Sequence, residues 1–562
     1  MTQVLHAQGV QQGLTVKAYR GDRAALLAFD VEPQLTKDLT GFAVQVTAPD
    51  GTSEYLRNRL SYDQGVHSQT APDQHPYVPS NEAPFQKFRW FHAPLTVAPG
   101  EYQYQVTAMY LRPGQTKPEP GPSVTVEMEI QPPQGPMELG FTRGYLSSQA
   151  YMEKWGKDPA FEPKPKSLDY DYSTYEEKYL WLGFHARKLM IDFVDECVKD
   201  PRSTLDLFAY DIDEPYIVKQ LEALKGRLRA VLDDAPLHTK EGAMEIEVLK
   251  RLKASAGEKN IVSGKFKRFA HNKIFIRKVD GKPHSVLTGS ANFSLRGLYV
   301  QANSVLRIQD SDVAARYEEA FETAFTNMHG FTKAPIAQQW FDFSKEGLPR
   351  FGVAFSPHAQ ASTSLDRVSQ ALAKARSSVI YAVMELDGAG KVLSELRDLP
   401  SKDQLFSYGI TQHTKGLSLY RPGHKNGVLV EFQALKGHIP PAFQDEWNGG
   451  MGQVIHHKFA VVDFNDMEPV AFAGSSNLAE GGEEANGDNL LSLYDRALVQ
   501  AYAVEGIRLV DHYEFRDSML GATASQPLLL QGATPEKGTQ PWWHRFYDPD
   551  DLSYVERTLF VR

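Results

Sequence analysis

Two stretches of this chain hold the same polar residue types at the same intervals. In AHNKIFIRKVDGKPHSVLTGSANFSLRGLYVQANS (270–304), His271 and Lys273 are followed by Ser290 and Asn292. In VIHHKFAVVDFNDMEPVAFAGSSNLAEGGEEANGDNLL (454–491), His456 and Lys458 are followed by Ser475 and Asn477. A His and a Lys two apart share one face of a strand. An imidazole can attack or carry a proton, and an ammonium can clamp an anion. Together they suit a phosphate ester. One H-x-K is weak evidence, because such triplets arise by chance. Here the step from His to Asn is 21 residues in both copies, and the two histidines stand 185 apart. Two H-x-K…G-S-x-N units with identical internal spacing mark a duplicated site.

Each unit needs a strand, a turn and a second strand to present these groups. Phe459, Val461 and Val462 are strand formers, and Asn465-Asp466 marks the bend before a second strand at 470–473. Asp280-Gly281 makes the hairpin turn of the first copy. Around each motif, strands and helices alternate. STLDLFAYD is a strand, EPYIVKQLEAL a helix, RLRAVLDD a strand and KEGAMEIEVLKRLKAS a helix. KYLWLGFHARKLMIDFVDECVKD is a helix ahead of them, and DSDVAARYEEAFETAFTNM closes the half, with Ser311 as its expected N-cap. The order restarts near Leu348 with PRFGVAFSP, SLDRVSQALAKARSS, VIYAVMEL and GKVLSELRD, and AVEGIRLVDHYEFRDSM closes the second half. LDLFAYDIDEP and VIYAVMELDGAG hold equivalent places, each a buried strand ending in acids.

The duplicated motif resembles the H-K-D signature of the phospholipase D superfamily, and the chain from about Leu139 to Arg562 more loosely resembles bacterial phospholipase D-like proteins. The resemblance implies two α/β lobes with mixed sheets, 137–345 and 346–562, packed around a pseudo-two-fold axis where the motifs meet. It implies phosphodiester cleavage through a covalent phosphohistidine, with no metal and no other cofactor. The catalytic pair would be His271 and His456, with Lys273, Lys458, Asn292, Asn477, Ser290 and Ser475 around the phosphate. The family's order makes His271 the nucleophile and His456 the acid.

The copies differ in their supporting residues. Asp463 lies five residues after Lys458, but Lys278 lies five after Lys273. Lys278 on a strand is expected to be exposed. Eleven residues beyond each Asn stand Asp488 and Asn303. In the family, an acid at this place accepts a hydrogen bond from the catalytic ring. Asp488 is therefore expected on His456 and Asn303 on His271, with His456 keeping its proton to higher pH. That placement leans toward His456 as nucleophile, against the family's order, and the two assignments stay open at this point. No Asp/His cluster with metal-ligand spacing accompanies either motif.

Residues 1–132 read as short alternating segments between Pro-Asp-Gly, Ala-Pro-Gly and Arg-Pro-Gly turns. They suggest an all-β sandwich similar to immunoglobulin or fibronectin type III modules, serving to dock partners. The polar stretch between Asn58 and Pro84 is expected to reach over a neighbouring domain, and the aromatic tail PWWHRFYDPDDLSYVERTLFVR to pack on the lobes. His67, His75 and His92 are scattered and suggest no metal site. A linker, Gln131–Pro136, precedes the lobes. The irregular segment YMEKWGKDPAFEPKPKSLDYDYSTYEEKYLW is expected to be a long loop over the cleft.

The length of 562 residues calls for several cores. A net charge of −10 argues against non-specific binding of nucleic acid, which usually needs a basic surface. The single cysteine, Cys197, allows no disulfide within the chain and favours a reducing compartment. No leader-like start or run of 18 apolar residues is visible, so a cytoplasmic location is expected, with export by another route open. The expected function is a phospholipase D-type phosphodiesterase, with a phospholipid as substrate. A nuclease with the same chemistry is the alternative. A non-catalytic scaffold with a decayed site is the reading from another class. A monomer holding an intramolecular pseudo-dimer is expected.

Overall fold

The computed structural model of the chain describes residues 5–67, 70, 77–94, 96–132, 135–144, 148–156, 158–386, 390–402, 405–413, 415–421, 427–431, 454–533, 535 and 538–562. His75 and part of the Gln131–Pro136 linker lie outside the described residues.

The first 130 residues form two four-stranded antiparallel sheets. One holds His6–Gln11, Leu14–Arg20, Ala25–Val31 and Arg89–His92; the other holds Glu119–Glu129, Glu101–Tyr110, Leu39–Thr47 and Ser53–Tyr55. In Glu101–Tyr110, Tyr102, Tyr104, Val106 and Ala108 are buried on one face, as period-two alternation requires. Met109 is buried as well, beside a register shift between Leu39 and Gly41 in the paired strand. Gly41 is the residue that fits that bulge. Its φ is +142°, and a Cβ there would meet the Phe85 carbonyl oxygen at 2.7 Å. Phe29, Phe42, Val44, Tyr104, Val106 and Val126 share one apolar cluster.

Phe546 of the tail joins that cluster, and Trp542, Trp543 and Tyr547 pack against it. The aromatic tail thus divides its apolar surface. Its first half covers the N-terminal sheets, and Leu559 and Phe560 enter the larger core. The described part of the Asn58–Pro84 stretch does reach out, pairing Val66 with Leu528 and bonding the Tyr77 hydroxyl to Glu153 at 3.1 Å.

Two mixed sheets follow. The first runs in the order Met137–Phe141, Ser304–Ile308, Lys282–Gly289, Ile274–Val279, Ser203–Ala209, Leu228–Leu232, Ile261–Ser263. The second runs Phe341–Phe343, Phe351–Ser356, Asp488–Leu493, Val470–Gly474, Phe459–Val462, Ser378–Val383, Phe406–His413, Gly416–Tyr420, Val428–Glu431. Six strands correspond in order between the two. They differ at both edges: at one the first sheet adds a parallel strand and the second doubles back antiparallel, and at the other the second adds Phe341–Phe343. Strands such as Ser378–Val383 and Phe459–Val462 are buried along their whole length, as expected of a sheet covered on both faces.

The helix Ser311–Asn327 is capped by Asp310, whose side chain accepts from Asp312 and Val313 amides; Ser311 is already helical. A carboxylate satisfies two orphan amides where a hydroxyl commonly takes one. The matching helix, Arg496–Gly521, is capped in the same way by Asp495. The segment from Tyr151 expected as a long loop over the cleft instead begins inside the helix Ser148–Trp155 and holds a tyrosine cluster in which Tyr179 stacks on Tyr299 at 4.2 Å. Lys278 is buried, not exposed. Its ammonium bonds Asp206 at 2.7 Å and Glu318 at 3.2 Å, which offsets the cost of removing it from water.

Candidate active site

The two sheets meet through a reciprocal exchange of backbone. The Ala302 amide donates to the Val454 carbonyl at 2.8 Å, and the Gly487 amide to the Phe269 carbonyl at 2.9 Å. Donors and acceptors each lie 185 residues apart, so one contact is the pseudo-two-fold image of the other. Side chains repeat the exchange. Tyr317 reaches Asn489 at 3.4 Å, and Tyr502 reaches Ser304 at 3.2 Å. The segment before each motif histidine is thereby laid against the segment before the other lobe's position 303 or 488.

This crossing decides the histidine partners, and it corrects the expected pairing. His271 Nδ1 lies 2.7 Å from Asp488 Oδ1, and His456 Nδ1 lies 2.9 Å from Asn303 Oδ1. Each ring is anchored by the other lobe, not its own. Asn303 is locked in orientation, since its Nδ2 donates to the Gly297 carbonyl at 2.8 Å and its Oδ1 accepts from Ser290 at 2.8 Å. With Nδ1 held in both rings, Nε2 is left for chemistry.

Lys273 and Lys458 are buried, and each donates to the carbonyl of its own motif histidine, at 2.9 Å for Lys458. Asn292 and Asn477 are brought to the same places in the two copies, and the Oδ1 of each is buried without a hydrogen-bond partner. Ser290 and Ser475 are fully buried and already engaged: they accept from the Ser304 and Asn489 amides, each at 3.0 Å. They brace the chain at Ser304 and Asn489, next to Asn303 and Asp488.

Residues 194–325 match the family model described as "Cardiolipin synthase, PLD-like domain". This stretch, which carries the first motif, is thus similar to a phospholipase D-like domain. No curated protein matches it. Among solved structures, the superfamily member Nuc from Salmonella typhimurium is 22% identical over 25% of this chain and 87% of its own, with a TM-score of 0.20. Phosphatidylserine synthase from Haemophilus influenzae is 12% identical over 60% and 90%, with a TM-score of 0.41. Yeast tyrosyl-DNA phosphodiesterase is 12% identical over 54% and 84%, with a TM-score of 0.29. At such scores these likenesses carry no further argument.

Several residues around the motif histidines escape a reading by motif. The Tyr210 ring stands edge-on to His271 at 4.7 Å, and the Lys273 ammonium lies 4.8 Å from its centroid. Asp233 accepts from the Ala270 amide at 2.5 Å, and Gln412 accepts from the Val454 and Ile455 amides at 3.0 and 3.3 Å. Each thus holds the backbone just ahead of a motif histidine. Asn489 bonds Asn272 across the lobes at 3.0 Å. The acids closing LDLFAYDIDEP were the one visible signal: Asp211 accepts from Ser294 at 2.9 Å and from Asn292 at 3.4 Å.

Burial dominates the electrostatics. His271 is pulled down to about 4, first by burial and then by Lys273, with Asp488 acting in the opposite sense. His456 is pushed well below its ordinary value, by burial and then by Lys458, Lys273 and His271. The expected order is therefore not found, because the carboxylate belongs to His271. Lys273 falls to about 7 and Lys458 well below its usual range, again mainly through burial. Groups held down in this way gain protons when an anion enters beside them. Above pH 7 the empty site keeps Lys273 neutral, so sulfate binding is expected to take up protons and to weaken as pH rises from 7 to 8.5. Calorimetry in buffers of different ionisation enthalpy checks this, and sulfate's own charge is constant over the range. Proton release, or affinity independent of pH, would contradict it.

Asp463 supports the fold at a distance from the chemistry. Its carboxylate accepts from the Arg376, Ser377 and Ser378 amides and from the Ser377 hydroxyl, the four closest contacts lying between 2.8 and 3.1 Å. Asp463→Ala leaves these donors unpaired, and a loss of about 2–4 kcal/mol of stability is expected in chemical denaturation. The folded fraction should keep its activity.

No metal-ligand spacing stands beside either motif in the sequence, and a group of possible ligands comes together only in the fold. The fold brings Asp211, His238 and Glu245 together, with one ligand atom of each within 4.8 Å of the others. The sequence separation of these residues hides the group.

Proposed function

We propose that this protein cleaves or transfers a phosphodiester through a phosphohistidine, with His271 as nucleophile and His456 as acid. The observation that carries the assignment is the pairing of Asp488 with His271. His271 is neutral at neutral pH, so the Nε2 lone pair is free to attack phosphorus. The Nδ1 proton then faces a carboxylate that offsets the positive charge appearing on the ring. As the bond from phosphorus to the leaving oxygen breaks, the Nε2 proton of His456 passes to that oxygen. In the second half, neutral His456 takes a proton from water or an acceptor alcohol, whose oxygen attacks phosphorus and releases His271. Lys273, Lys458, Asn292 and Asn477 would hold the non-bridging oxygens. His456 is neutral in the empty site. The phosphodiester's own negative charge, placed between the two lysines, raises its proton affinity when it is needed.

This reading resolves the conflict between the family's order and the carboxylate. It takes residues 137–345 and 346–562 as the two lobes of one site within a monomer, and residues 1–132 as an immunoglobulin- or fibronectin-like docking module. A phospholipid is the proposed substrate, in keeping with the net charge of −10. No helix among the described residues is long and apolar enough to cross a membrane, so such a lipid would be met at a surface. Release of labelled product from a panel of phospholipids, DNA and RNA, with and without EDTA, tests the proposal. Head-group release is expected. Cleavage of nucleic acid alone would replace the lipid by a nuclease reading, and no product from any substrate would leave a decayed site.

A further inference from the structure

We infer that Asp211, His238 and Glu245 form a binding site for a divalent cation of the zinc class, one tyrosine ring away from the catalytic histidines. His238 is 3% exposed, and its Nδ1 is fixed by Asp233 at 2.9 Å. Its Nε2 is buried and has no hydrogen-bond partner among the described residues. A buried ring nitrogen without a partner is costly, and the other ring nitrogen is already oriented by a carboxylate. Carboxylate, imidazole and vacant Nε2 form the arrangement that orients metal-bound histidines.

The carboxylates of Asp211 and Glu245 complete the donor set, all three ligand atoms lying within 4.8 Å of one another. A bound ion contacts each donor at about 2.0–2.2 Å, so donors this close can share one ion after small side-chain adjustments. His238 and Glu245 also line a small cavity of about 60 Å³ with Tyr210, Asp233 and Ser263. One imidazole with two carboxylates suits zinc better than magnesium or calcium, which take oxygen ligands.

A second acidic group offers a contrast. Asp206, Glu318 and Glu322 also cluster, but Lys278 and Arg229 lie among them at 2.5–3.2 Å and already supply the positive charge. That group has no buried imidazole, and it carries no inference.

The site touches the catalytic residues through two contacts. Asp211 accepts from Asn292, one of the proposed phosphate-binding residues, at 3.4 Å. Tyr210 stands edge-on to both His238, at 4.6 Å, and His271, at 4.7 Å. A cation there would fix Asp211 and thereby the Asn292 amide, as a positioning element and not as a participant in bond breaking.

The test uses the full, tag-free chain, stripped with EDTA and titrated with zinc by calorimetry. One tight zinc per chain is expected, with a higher melting temperature. His238→Ala and Glu245→Gln should each weaken binding about 100-fold or more, while Asp206→Asn should leave it unchanged. Glu245 is half-buried, so Glu245→Gln keeps the test open should His238→Ala fail to fold. His271→Asn should bind zinc like the parent, which reads this site separately from the catalytic proposal. Absence of tight zinc binding, undiminished binding in Glu245→Gln, or equal affinity for magnesium would overturn the inference.

Discussion

His271→Asn is expected to lower kcat by roughly 10⁴-fold or more on every phosphodiester the protein accepts, because it removes the proposed nucleophile. His456→Asn should behave differently, and the difference is the informative part. An alkoxide leaving group needs a proton, so esters of aliphatic alcohols should lose roughly 10²- to 10⁴-fold. Nitrophenolate leaves unaided, so the first step on bis(p-nitrophenyl) phosphate should be nearly spared in His456→Asn. The second half-reaction still needs a base, so the variant should give a burst of nitrophenol followed by slow turnover. His271→Asn should give no burst. Single-turnover kinetics on the two substrate classes read both effects. Equal losses on activated and unactivated esters in His456→Asn would remove it from the acid's role.

The second large effect belongs to Asp488. An Asn at this position would still accept the Nδ1 proton of His271, as Asn303 does for His456. It could not offset charge on a ring that becomes bonded to phosphorus. Asp488→Asn is therefore expected to cost roughly 10²- to 10⁴-fold in kcat, the scale of losing a buried carboxylate behind a catalytic histidine. The sign with pH follows from the cause. Asp488 raises the proton affinity of His271, which burial otherwise holds near 4. Its loss lowers that value further, so His271 stays neutral at pH 7–8 in both proteins. The acidic limb of kcat/KM should move down, and raising the pH should restore nothing. An upward shift, or recovery above pH 8, would mean that Asp488 acts elsewhere. Asn303→Asp should leave His271 largely as it is and raise the proton affinity of His456.

Much of this arrangement was legible in the residues. The repeated spacing of His, Lys, Ser and Asn located both halves of the site, because the strand–turn–strand units that carry them admit little variation in length. The alternation of strands and helices showed two α/β halves for the same reason. The partners of the histidines were legible only as types. Asp488 and Asn303 were singled out as histidine partners, but their assignment followed chain proximity, and the pairing is set by the backbone exchange between Ala302 and Val454 and between Gly487 and Phe269. No pattern within one lobe reports that exchange. Lys278 looked exposed because its partner Asp206 lies 72 positions away on the neighbouring strand. Asp463 was recognised by its place in the signature, yet its contacts are to backbone amides at 376–378 and have no part in the chemistry. Tyr210, Asp233 and His238 carry no motif at all; they matter through side-chain positions that only the folded lobe defines.

The central claim is that His271 becomes covalently bonded to phosphorus. The most direct measurement is to mix His456→Asn with bis(p-nitrophenyl) phosphate, quench with denaturant at high pH, and map the modified peptide by mass spectrometry. Phosphoramidates survive base and are lost in acid, which separates them from serine and threonine esters. The account predicts one nitrophenyl phosphate adduct per chain, on His271 and lost on brief acid treatment. An adduct on any other residue, or turnover of the substrate with no adduct on any histidine, would contradict it.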